Sequence, residues 1–282
     1  MFTISEIREK ARHTLNDTTG IYQVAAIPVA ISVIVQLFSA SRNSLAGLTP
    51  EEILSPGYLI STSLFPLFYG LLLGLLQLSV IWTLFQVTKN TKQAVSYKDC
   101  VSIFYHKDFG KIIKTYILKS FLIFLWGFLF YFGIGLVIGA TIVSASIVVS
   151  TGLTDPNLIP QDILALLGSF LIVGLFLTII GFAIYIPQIY AYSQVEFILF
   201  EQLEREEYTG AYSIIKSSRK LMKGYKFKRF TLDLSFVGWY VLSIITFGLA
   251  GLYVLPYHYL AQSYFHEGIL DDQAKKMNYV YE

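Results

Sequence analysis

The chain has 282 residues, 55% of them hydrophobic and 14% charged, with a mean hydropathy of +0.59. Soluble domains carry about 25% charged residues, so this composition, with its long apolar runs, excludes an ordinary soluble domain and points to the bilayer. A net charge of +2 gives no global field for nucleic acid, and the single cysteine, Cys100, excludes a disulfide within one chain.

The chain opens on Thr3-Ile4-Ser5-Glu6, the spacing of a capping box. Ile4, Ile7, Ala11 and Leu15 then share one helical stripe, with Arg8, Lys10 and Arg12 off it. Residues 1–20 are expected to form an amphipathic helix on the cytoplasmic surface. A secretory signal would instead run from a short basic start straight into an apolar core.

The first crossing is expected at 21–40, about 30 Å of helix, with a kink at Pro28. The connector 41–62 carries Arg42, Glu51 and Glu52. A second crossing over 63–87 contains Gly70 and Gly74, a pair that lets a neighbouring helix approach closely. The connector 88–114 is basic, with Lys89, Lys92, Lys98, Lys107, Lys111 and Lys114, and Ser96 to Asp99 offers a second capping box before an interfacial helix.

The third crossing lies within 116–149, a tract longer than one passage needs. Gly127, Gly133, Gly135, Gly139, Ala140 and Ser144 make it the small-residue helix and the expected centre of packing. Residues 150–162 contain Asp155 and Asp162 and no Lys or Arg. A fourth crossing follows at 163–186, Pro187 kinks the chain, and 188–200 continue as a mixed helix. The connector 201–229 begins acidic and ends basic, with an amphipathic helix at 211–222 and a stop at Gly224. Residues 231–246 and 249–265 are each expected to cross, with a hairpin at Phe247-Gly248; one kinked passage is the alternative.

Lys and Arg crowd the connectors 88–114 and 201–229 and are nearly missing from 41–62 and 150–162. The positive-inside rule therefore places the N-terminus in the cytoplasm and, with six crossings, Lys275 and Lys276 there too. Five crossings would put the tail outside. The reading is an all-α, polytopic transmembrane bundle: an N-terminal amphipathic helix (1–20), a membrane domain (21–267) and a short polar tail (268–282).

One stretch carries a family likeness. Ile186-Pro187 and Tyr190-Ala191-Tyr192-Ser193 begin it, and 218–224 (SRKLMKG) follow. Phe230, Leu232-Asp233-Leu234-Ser235-Phe236, Gly238-Trp239, Thr246-Phe247-Gly248, Pro256-Tyr257, Ala261 and Phe265 complete it. Over 186–267 the chain resembles the DUF975 family, integral membrane proteins of unknown function found mainly in Gram-positive bacteria. It departs at 248–251, where the family has a shorter Gly-Ile-Gly, and at Tyr264-Phe265, where the order is reversed. The resemblance implies fold and a bacterial plasma-membrane location, and supplies no activity.

Three residues form a candidate intramembrane polar cluster. Asp233 stands near the start of an apolar segment, where a carboxylate needs water, a cation or a helix end. Glu196 follows the Pro187 kink, and His258 can titrate near neutral pH. For each, an interfacial side chain satisfied by water or a neighbour is the heavier reading. Arg219, Lys220, Lys223, Lys226, Lys228 and Arg229 are candidate contacts to anionic lipid headgroups, weighed against a plain topology signal.

Nucleophile elbows, phosphate loops and dinucleotide fingerprints are missing from the sequence, and His266-Glu267 has no second His at zinc-site spacing. The expectation is a non-enzymatic accessory protein without cofactor, metal or nucleic acid. It would contact the lipid bilayer and a membrane-protein partner or a second copy of itself. A permease for a small or amphipathic solute is the alternative, motivated by the kinked and broken helices beside Glu196, Asp233 and His258.

Overall fold

A computed structural model describes residues 2–42, 55–151 and 159–281. Residues 43–54 and 152–158, with Glu51, Glu52 and Asp155 of the two cation-poor connectors, lie outside the described residues. Every named element is helical: α1 (Ile4–Asp17), α2 (Ala26–Arg42), α3 (Pro56–Thr88), α4 (Phe109–Thr151), α5 (Gln161–Ala191), α6 (Val195–Glu204), α7 (Ala211–Leu221), α8 (Lys226–Leu234), α9 (Val237–Ile245) and α10 (Gly251–Tyr281). Two 3-10 segments, Ile21–Ala25 and Tyr97–Tyr105, complete the set.

Local chemistry accounts for many of the boundaries. The Thr3 hydroxyl accepts the Glu6 N–H while Glu6 accepts the Thr3 N–H at 2.9 Å, closing the capping box on α1. The Asp99 carboxylate accepts the Ser96 N–H at 2.8 Å, but that box opens a 3-10 segment rather than an α-helix. Gly224, at φ +87°, stops the chain just after α7. Phe247 at φ 51° and Gly248 at φ 92° reverse it between α9 and α10, where the hairpin was expected. Pro28, Pro66, Pro187 and Pro256 all sit inside helices. α5 runs on past Pro187 to Ala191, and residues 192–194 separate it from α6.

Among the described residues three stretches are long and apolar enough to cross a membrane: Leu64–Thr88, Phe109–Val148 and Gln161–Glu204. Ile21–Leu37 is apolar but shorter.

The chain divides into two compact units. One comprises residues 1–115 and 193–282, and its centre is α10. Leu260, Ala261, Phe265 and Ile269 of α10 are fully buried. They pack with Ile7, Ala11 and Leu15 of α1, Val80, Leu84 and Val87 of α3, and Leu232 of α8. The apolar stripe of α1 is thus covered by protein. Residues 268–281, the expected polar tail, continue α10, and within them Ile269 and Asp272 are buried. Beside this core, Trp82 and Phe85 of α3 meet Phe200 of α6 edge-on at 4.9 Å and tilted at 6.0 Å.

The other unit, residues 116–192, is a hairpin of α4 and α5. Its seam depends on missing side chains. A Cβ on Gly181 would lie 2.4 Å from the Phe130 nitrogen, and one on Gly133 would lie 2.5 Å from the Thr178 nitrogen. Both obstacles are backbone, so neither can swing aside. Phe130 stacks on Tyr185 at 5.8 Å, and the Tyr131 and Tyr185 hydroxyls meet at 2.9 Å. The outward faces are apolar and exposed, including Phe121, Phe124, Phe128, Phe132, Ile172 and Phe176. Exposed apolar surface on this scale needs lipid or a partner.

This seam yields a prediction. Gly181→Ala is expected to destabilise the protein by about 1–3 kcal/mol, the usual range for overpacking. Gly139→Ala, where a Cβ meets nothing within 4 Å, is expected to change it by less than about 0.5 kcal/mol. Reversible unfolding in detergent compares the two.

Candidate functional site

The three residues singled out as a polar cluster lie on three helices of the same unit. Asp233 ends the apolar-facing turn of α8, four residues after Arg229, so both side chains share one face. Their ion pair measures 3.3 Å. His258 of α10 brings its Nε2 to 2.9 Å from the Asp233 carboxylate. The Tyr240 hydroxyl of α9 and the Gln262 amide each stand 3.0 Å from His258 Nδ1. Phe236 packs edge-on against the imidazole at 4.8 Å.

Glu196, in the first turn of α6, is buried and lies within electrostatic reach of the Tyr259 hydroxyl, as do Arg229 and Tyr240. The three candidates therefore gather around Arg229 and the His258-Tyr259 turn of α10. Asp233 and His258 share a hydrogen bond. The set ties the α8–α9 elbow to α10. Among the described residues no three His, Cys, Asp or Glu side chains converge as a metal site.

A second polar group was not singled out from the sequence. His266 of α10 is 1% exposed; its Nδ1 meets the Gln194 amide oxygen at 2.9 Å and its Nε2 stands 3.4 Å from Glu201. Lys89 reaches Glu201 at 3.5 Å and Glu267 at 3.4 Å. The Thr88 and Ser263 hydroxyls meet at 2.7 Å. Its members come from three distant stretches, so no local motif announces it. The one available signal is a polar stripe on α10, where Tyr259, Gln262, Ser263 and His266 recur at helical spacing.

A third group closes the end of α10. Tyr225 donates to Asp272 at 2.5 Å and Lys276 pairs with Asp272 at 2.8 Å. The Lys276 and Tyr225 bonds hold the Asp272 carboxyl at about 2, below its ordinary 3.8.

The six cations expected to face lipid separate into two sets. Arg219, Lys220 and Lys223 are exposed and Lys226 is half-buried. Beside them Phe227, 78% exposed, and Tyr212 and Phe230 present aromatic rings outward. Arg229 does not belong with them: it is 4% exposed, pairs with Asp233 and lies over the Phe265 ring at 5.7 Å. Lys228 also turns inward, donating to the Phe2 carbonyl and capping the Phe2 ring at 3.7 Å. The helical period decides this, since residues 228 and 229 fall on the side of α8 that carries buried Leu232.

A double-mutant cycle on Asp233→Asn and His258→Gln is expected to return a coupling of about 0.5–2 kcal/mol in detergent unfolding. A coupling near zero would mean that the two side chains act independently.

Comparison with known proteins returns one family, described as a protein of unknown function, DUF975, which matches residues 1–273. No curated protein and no solved structure matches the chain. The match runs from the capping box of α1 to the buried acid near the end of α10, nearly the whole protein, and the chain belongs to DUF975.

Proposed function

We propose that this chain is a non-enzymatic accessory protein of the bacterial plasma membrane, built on six crossings, that docks a second membrane protein through its α4–α5 hairpin. The carrying observation is the division of labour among the glycines of α4. Gly127 and Gly133 are filled by neighbours within the hairpin, whereas Gly135 and Gly139 meet nothing within 4 Å. Gly135 and Gly139 are four residues apart on one face, the spacing at which small residues let another helix approach. Exposed Phe128, Phe132, Ile138 and Ile142 surround that face.

The six crossings are α2, α3, α4, α5, α9 and the start of α10. The nine residues of α9 cover about 14 Å, roughly half the hydrocarbon core, so the fifth passage is short and requires the bilayer to thin around it. None of its side chains is buried, and Val241, Ile244 and Ile245 are exposed, as lipid contact requires. The basic connectors then face the cytoplasm, where Arg219, Lys220, Lys223 and Lys226, flanked by Phe227 and Tyr212, suit anionic headgroups and interfacial depth. A permease is the second reading, favoured by the break between α8 and α9 beside the Asp233–His258 pair. The pairing of that set within the protein favours a structural lock instead.

Two measurements test the proposal. Affinity purification from gently solubilised membranes is expected to retain a stoichiometric membrane-protein partner or second copy. Gly135→Leu/Gly139→Leu is expected to lose it while the protein stays folded; a wild-type chain that purifies alone sinks the reading. Separately, reporters fused after residue 281 are expected to be active only on the cytoplasmic side, and an external signal would mean five crossings.

A further inference from the structure

The outer face of α1 carries a cation pair that the proposal above does not use. Ser5, Arg8 and Arg12 follow one another at three and four residues, so they line one side of the helix. With Ile4 and Glu9 they border an open cleft of about 470 Å³. The Arg8 guanidinium is braced from behind. Arg8 Nε donates to the Tyr257 hydroxyl at 3.3 Å, and its guanidinium lies over the Phe236 ring at 5.4 Å and the Tyr257 ring at 6.0 Å. Arg12 lies one turn further along the same face, within electrostatic reach of Tyr257 and Tyr253. Among the described residues neither guanidinium pairs with a carboxylate within ion-pair distance, and Glu9 is the one acid among the lining residues.

The surroundings identify the depth of this cleft. Tyr253 lies within electrostatic reach of both Arg8 and Arg12. Its ring packs against Trp239 at 4.9 Å and stacks on half-exposed Tyr22 at 6.2 Å. Trp and Tyr gather where hydrocarbon meets headgroups, because one end of each ring is apolar and the other wet. Two forks of N–H donors at that level, with a hydroxyl between them and aromatic rings beside them, match a phosphate oxyanion whose acyl chains leave along the rings.

We infer that the Arg8–Arg12 face of α1 is a binding site for the phosphate of an anionic phospholipid headgroup. The site rests on the membrane reading above but not on the partner or the α7–α8 cations. Arg supplies two parallel donors in a fixed plane, which Lys cannot reproduce. The rings of Phe236 and Tyr257 preset the Arg8 fork, so less side-chain freedom is lost on binding.

The test uses the full chain extracted from membranes in detergent. Native mass spectrometry compares retention of a short-chain phosphatidylglycerol with that of inorganic phosphate. The lipid is expected to bind and inorganic phosphate to bind far more weakly. Arg12→Gln is expected to weaken lipid binding about tenfold, and Lys220→Gln to leave it within about twofold. Equal binding of inorganic phosphate and lipid overturns the lipid assignment. Equal losses in Arg12→Gln and Lys220→Gln show bulk charge attraction and overturn the site, as does unchanged binding in Arg8→Gln/Arg12→Gln. If Arg12→Gln does not fold, Arg12→Lys decides: it keeps the charge and must still bind about threefold more weakly. Failure of the membrane reading would register earlier and differently, as a chain missing from the membrane fraction.

Discussion

Burial of α10 is the constraint on which the first unit depends. A helix carrying Ser263, His266, Glu267 and Asp272 cannot face hydrocarbon with those groups bare, because unsatisfied polar atoms there are costly. Nor can it stay in water with Leu260, Ala261, Phe265 and Ile269 on its surface. Both demands are met by surrounding it: α1, α3 and α8 cover the apolar side. Thr88 answers Ser263, Gln194 and Glu201 answer His266, Lys89 answers Glu267 and Tyr225 answers Asp272. The elements gathered around α10 come from both ends of the sequence, so this packing closes the unit topologically as well as energetically.

The hairpin of α4 and α5 obeys a different rule. In lipid there is little hydrophobic gain from pairing helices, so close packing must supply the attraction. Gly133 and Gly181 admit the opposing backbone to distances at which a methyl group would collide with it. Polar help comes from Tyr131 with Tyr185 and from the Trp126 indole donating to Tyr192 at 2.9 Å. This explains why the hairpin shows so much apolar surface while the first unit shows an orderly core.

Much of this was legible in residue order. The capping boxes at Thr3 and Ser96, the stop at Gly224 and the reversal at Phe247-Gly248 are local signals, and each appears at its place; of the apolar tracts, three form helices long enough to cross a membrane among the described residues. The stripe of α1 was legible too, but not what covers it, because the covering helix lies some 250 residues away. The same limit hid the His266 group, whose parts are ordinary one by one. Arg229 and Lys228 were read as surface cations because a basic run looks uniform in one dimension; the 3.6-residue turn of α8 sorts them inward. Asp233 and His258 came together because both were conspicuous for the same reason, charge-bearing groups set among apolar neighbours.

The packing of the first helix against the last has a consequence for biosynthesis. At translation speeds of roughly 5–20 residues per second, Ala11 leaves the ribosome some ten to fifty seconds before Ile269 exists to cover it. During that interval the oily side of α1 must be shielded by the insertion machinery, by the bilayer interface or by a chaperone. A transcript cut short before codon 260 would leave it uncovered for good, and such a product is a natural target for membrane proteases.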